Sequence, residues 1–305
     1  MRKASPDTDQ VTRSLLQKAL RRADIDMTRQ AVAYLIHNND FDWMRKRLAV
    51  LTFEECWTYG LEVSYDNDEH IISEHIYKLV GTVKNRNAAG LGSLAYALSE
   101  GDESVYDGGS EDRNIKIIAE AIKRHKDFWE WTKNQDITDK QKTLVEKAYK
   151  GFKKAGWPWD RAFAQAAAYL AIKDDIPDTI YIQPKSDSNF PLWVAIDKHT
   201  QQGKAAIREA AKQINFNANK ALWLAFYFES AKCNDIQFSP WWEREVKWRM
   251  KKLELDYEEA RQTWERLKPI VIDLLKEETE KLQEKLFSVK PIKSSSYNNI
   301  QQLLF

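Results

Sequence analysis

The chain reads as an all-α multi-helix bundle on three observations. Apolar residues recur at three- and four-residue steps in one segment after another. No stretch alternates apolar and polar long enough to argue for a sheet, although 179–183 could be a short extended piece. Ten glycines and 8 prolines in 305 residues, with 43% hydrophobic and 30% charged, suit a largely helical chain with ample apolar material for a core. Forty-seven basic against 46 acidic residues give a formal charge of +1, so only a local patch could engage a polyanion. Cys56 and Cys233 match no disulfide framework or zinc spacing, and no apolar run approaches a membrane span. A cytoplasmic protein with reduced thiols and no membrane contact is expected.

Each element has its own reason. Residues 1–10 are polar and expected to be loose. From Val11, Leu15, Leu16, Ala19 and Leu20 form one helix face, with Arg13, Lys18, Arg21 and Arg22 on the other. Asp24 and Asp26 offer a cap for a second helix with Met27, Ala31, Tyr34 and Leu35 inward. A third carries Met44, Leu48, Leu51 and Cys56 inward and Arg45, Lys46 and Arg47 outward. Helices follow at 71–83, 88–98, 115–131 and 140–154, with a glycine-rich acidic loop at 101–114. Pro158 suits a helix start, and Ala162, Phe163, Ala166, Ala167, Leu170 and Ala171 then form an apolar stripe. Pro177, Pro184 and Pro191 fence a polar turn before a second short helix, 192–198, expected to pack on the first.

Beyond it, 205–214 and 218–231 read as helices. After Pro240 the residues Val246, Met250, Leu253, Tyr257, Ala260, Trp264, Leu267, Val271 and Leu274 keep four- and three-residue steps, a heptad seam. Pro269 is expected to kink it. Such a seam serves either a helix packed along the domain or a surface for self-association.

An ordered set of residues resembles a known family. Lys18 to Arg21 with Asp24 and Asp26, Arg47-Leu48 with Glu54-Glu55, the run Gln165 to Ala171, Pro184-Lys185-Ser186 with Ser188, and Ala195 to Asp197 are similar to the C-terminal region of the replication-associated recombination protein A family. These are MgsA-type relatives of clamp-loader ATPases, with the Werner-helicase-interacting protein among them. Glu55 stands where the family has aspartate, and Trp57 where it has glycine. The resemblance implies a clamp-loader-type C-terminal oligomerisation domain over residues 11–200; past it, the spacing and composition give a helical extension at 201–287 and a flexible tail at 288–305. It also implies a role in DNA replication or fork repair, self-association, and a separately encoded replication ATPase as partner. The alternative is a DNA-binding or phage-encoded regulatory protein on the same scaffold.

Candidate chemistry is sparse. No GxxxxGK[ST] is present, so neither the family's nucleotide module nor any cofactor is expected. His70, Glu74 and His75 have the spacing H-x-x-x-E-H, which puts His75 off the face shared by the other two. No Ser-His-Asp or Cys-His set can be nominated, and a non-enzyme is expected. Basic clusters remain: Arg45-Lys46-Arg47, Lys84 with Arg86, Lys123-Arg124, and Lys150 with Lys153 and Lys154, several near tryptophans. They could meet DNA phosphates; each also reads as a solvated helix face balanced by neighbouring acids. Gln301, Leu304 and Phe305 at the end of the polar tail resemble the sliding-clamp-binding pentapeptide, commonly Q-L-[SD]-L-F. There Leu304 and Phe305 would fill an apolar pocket and Gln301 would bond its rim.

Overall fold

A computed structural model describes residues 8–57, 68–176, 182–186, 189–233 and 239–291. These residues form fourteen α-helices and no strands, an all-α bundle. In chain order they are α1 (Thr8–Arg21), α2 (Ile25–His37), α3 (Phe41–Glu55), α4 (Glu69–Val80), α5 (Asn87–Ser99), α6 (Asp112–Lys123) and α7 (His125–Lys133). Then come α8 (Asp139–Lys154), α9 (Pro158–Lys173), α10 (Gln201–Gln213), α11 (Ala218–Ala225), α12 (Pro240–Lys252), α13 (Tyr257–Leu274) and α14 (Lys276–Phe287).

Helix starts follow the local chemistry. Asp24, Asp68, Thr200, Asn217 and Asp256 accept backbone N–H groups at the starts of α2, α4, α10, α11 and α13. Thr138 and Gln141 close a reciprocal capping box on α8, and prolines open α9 and α12. Two expected helices are divided. Residues 115–131 break at Arg124 into α6 and α7, where the backbone leaves helical values. Residues 218–231 run as α11 and then a π turn, Phe226–Ser230, in which the Ala231 N–H reaches back five residues to the Phe226 carbonyl at 2.7 Å.

The apolar side chains form two clusters. The first gathers α1, α2, α4, α10, α11, α13 and α14 with residues 190–196. The second gathers α5 to α9. Helix α3 belongs to both: Met44, Leu48 and Leu51 enter the first, while Ala49, Val50 and Phe53 enter the second. Helix α12 is shared likewise, with Met250 in the first and Trp241 and Trp248 in the second. Its start lies so close to α5 that a Cβ on Gly90 would fall 2.4 Å from the Trp241 carbonyl carbon, so only glycine fits.

Three expectations change. Helix α9 and the turn at Leu192–Ala195 sit in different clusters instead of packing as a pair. The heptad seam is not one long helix, because Glu254 adopts positive φ (56°) between α12 and α13, and the helix ends again at Leu275. Pro269, the residue expected to kink the seam, lies inside α13. The seam's Met250, Ala260, Trp264, Leu267 and Val271 are buried in the first cluster, so the core occupies most of the seam, while its Tyr257 and Leu274 are exposed. The segment 201–287 thereby completes the same core as α1 and α2. The beginning of the 288–305 tail is also anchored: Val289 packs on that core and its carbonyl accepts from Gln30 Nε2 at 2.7 Å.

Candidate nucleic-acid interface

Several residues that carry the resemblance contact one another: Lys18, Arg21, Glu54, Glu55 and Asp197 at a buried junction of α1, α3 and the residues around 197, and Asp26 with Ser186 at an exposed edge, while Gln165 to Ala171 lie apart on α9. Arg21 donates from Nε to Glu55 and from Nη2 to Glu54, both at 2.5 Å, and from Nη1 to the Ser230 carbonyl at 2.8 Å. Arg86, held at φ 55°, adds its guanidinium 3.3 Å from Glu55 and lies 4.0 Å over the Trp242 ring. Burial alone would raise the Glu54 carboxyl, but Arg21, Arg47 and Arg86 outweigh it and hold the group at about 2. Lys18 donates to Asp197 at 2.5 Å; burial would raise that carboxyl too, yet Lys18 and His199 hold it well below the usual carboxylate range. Lys185 exchanges backbone bonds with Ala23 and Ile25 at 2.7 and 2.9 Å, and Ser186 Oγ donates to Asp26. Pro184 packs beside Gly81. Trp57 is buried and donates to the Ala167 carbonyl at 2.7 Å.

This junction is structural chemistry, with each charge matched by a partner. It also removes one of the basic clusters from consideration. Lys84 and Arg86 are fully buried: Lys84 closes the C-terminal carbonyls of α4 at Leu79 (2.8 Å) and Val80 (3.1 Å), and Arg86 joins the Glu54–Glu55 pair. Arg47 is likewise turned inward, to Asp160 at 3.0 Å and Glu54 at 3.1 Å. Sequence marks charge but not the neighbour that buries it.

At the surface the arrangement differs. The start of α3 lies beside the end of α8, and Arg45 and Lys46 come near enough to Lys154 to act on it. Desolvation and then the Arg45 charge lower the Lys154 ammonium, with Lys46 adding to them and Asp42 opposing. Lys46, Lys153 and Lys154 are exposed, and Asp42 pairs with both Arg45 (2.6 Å) and Lys46. Lys153 lies 5.0 Å from the Tyr149 ring centroid. Trp157 follows three residues after Lys154 and is 73% exposed. Two of the basic clusters named from the sequence are therefore brought together, and like charges gather where a polyanion would relieve their repulsion. The Lys123 and Arg124 pairs stand apart on α6 and α7, balanced by Glu120 and Asp127.

Other candidates carry less. Among the described residues no group of three or more histidine, cysteine or acidic side chains could hold a metal ion. Both cysteines are free, and burial pushes the Cys56 thiol up to about 12. Lys198 went unremarked in the sequence; its ammonium sits 3.4 Å from the Trp223 ring centroid, and burial draws it down to about 7. An open groove of about 710 Å³ along α13 and α14 is lined by Trp193, Pro269 and Ile272 with a mixture of acids and the donors Lys268, Lys276 and Thr279. Ser188 and the tail residues Gln301, Leu304 and Phe305 lie outside the described residues. No helix among the described residues is long and apolar enough to cross a membrane. Comparison of the chain with family models, with curated proteins and with solved structures gives no match.

Proposed function

We propose that this chain is a non-catalytic accessory factor in DNA replication or replication-fork repair, and that it holds DNA by its phosphates at the α3–α8 surface. The observation that carries the reading is the convergence of Arg45, Lys46 and Lys154 on one face, although they lie far apart in sequence. Asp42 pairs with both Arg45 and Lys46, so these three cations keep an excess of positive charge that a bound polyanion would match. The replication context draws support from the resemblance, whose residues contact one another as Lys18 with Asp197, Arg21 with Glu54 and Glu55, and Asp26 with Ser186. Partners in this reading are a sliding clamp at Gln301, Leu304 and Phe305, a second copy of the chain, and a separately encoded replication ATPase. The same basic face also serves the second reading, a DNA-binding regulatory protein without fork partners.

One titration separates these. The full chain is bound to fluorescent forked DNA across a salt series, with and without the sliding clamp of its host. Replacing Lys46 and Lys154 by glutamate is expected to weaken binding by roughly tenfold or more and to lower the log–log salt slope by about one and a half. Unchanged affinity in that variant removes the DNA surface from α3 and α8. Clamp recruitment that vanishes when Leu304 and Phe305 are deleted supports the fork role; DNA binding with no clamp recruitment favours the regulatory one.

A further inference from the structure

We infer that Trp157 is a base-stacking platform, and that the α3–α8 surface therefore takes single-stranded in preference to duplex DNA. The inference rests on the nucleic-acid reading above and adds the form of the strand. Trp157 is the most exposed large apolar side chain among the described residues, at 73%. Neither packing nor capping accounts for it. Two residues on, Trp159 packs against Tyr96 with ring centroids 4.6 Å apart at a 35° tilt and meets Phe163 edge-on, so that ring is anchored. Trp157 occupies the N-cap of α9, a position that favours serine, threonine or aspartate, and makes no capping bond.

Its setting suits an extended strand. Pro158 fixes the backbone on one side, and a Cβ added at Gly156 on the other would meet nothing within 4 Å. The indole is thus presented to solvent, 73% exposed, from the residue just before Pro158. Lys153 and Lys154 precede it on the chain, and Arg45 and Lys46 face Lys154 from α3. Asp160, the nearest acid on α9, is occupied by Arg47 at 3.0 Å and is buried. Cations that follow a backbone beside an aromatic face are the two components of single-strand binding, because every base has a face to stack. In a duplex those faces are already stacked, so Trp157 gains nothing there.

The test uses the full chain and three probes at low salt: oligo-deoxythymidine, an abasic strand of the same length, and a duplex of the same length. Wild type is expected to bind the thymidine strand about 5- to 150-fold more tightly than the abasic one, the range that base–aromatic stacking provides. Trp157→Ala is expected to erase that ratio while keeping the salt slope and the melting temperature, and Trp157→Phe to restore part of it. Equal binding of thymidine and abasic strands by wild type overturns the stacking platform and leaves the phosphate surface standing. A ratio that survives Trp157→Ala also overturns it. Failure of wild type to bind any of the three overturns both readings together.

Discussion

The two ends of α3 carry similar charges to opposite outcomes. At the start, Asp42 and Lys46 face solvent and Arg45 is half-buried, and ion pairs there contribute about 0–1 kcal/mol because water screens them and the side chains resist being fixed. At the end, Glu54 and Glu55 are buried and held by Arg21 and Arg86, so each partner is essential to the others. Ion pairing of the same kind is buried scaffold in one place and water-facing surface in the other. What differs is the access of water.

The sharpest way to break the contrast is at the buried end. Arg21→Met leaves two carboxylates with less than their matching charge, and a loss of about 3–5 kcal/mol is expected, read by urea denaturation. A loss near that of a surface pair would mean that the junction is more hydrated than its burial implies. Acid offers a gentler route. Because Glu54 is held at about 2, below its ordinary value near 4.5, its contribution is fully present above the ordinary value. It is lost as pH falls from about 4.5 toward about 2, and amounts to a few kcal/mol. Thermal midpoints followed over that window should fall less steeply in Glu54→Gln than in wild type, from a lower starting point. The smallest effect is expected at the exposed end. Asp42→Asn removes the acid shared by Arg45 and Lys46; stability should change by less than about 1 kcal/mol, while DNA binding at low salt tightens a few-fold. Weaker DNA binding in that variant would place the phosphates elsewhere.

The sequence made the helices legible because each buries a face, and a buried face leaves a periodic mark. The stripes of α1, α2 and α9 are where their spacing puts them. It did not show which neighbour covers a face. The heptad pattern from Met250 to Val271 reports burial correctly, but an intramolecular core and a partner helix leave the same mark. On α3 the stripe of Met44, Leu48 and Leu51 was plain, whereas Ala49, Val50 and Phe53 form a second stripe that only a two-sided core explains. Lys84 and Arg86 read as surface cations because a one-letter code records charge and not dielectric. The basic surface was legible in halves, as Arg45–Lys46 and Lys153–Lys154; their meeting depends on how α3 and α8 pack, which no local pattern encodes.

The sharing of α3 and α12 between both apolar clusters also governs how the chain comes apart. Neither cluster can loosen without exposing one face of a helix that the other still grips. Partial opening therefore gains the entropy of one half while forfeiting burial in both, which favours an all-or-none transition. Amide hydrogens in the middle of α3 are then expected to exchange only through global unfolding, whereas the α8 end and the α9 N-terminus can breathe independently. Motion at the proposed DNA surface is in this way separated from the endurance of the fold.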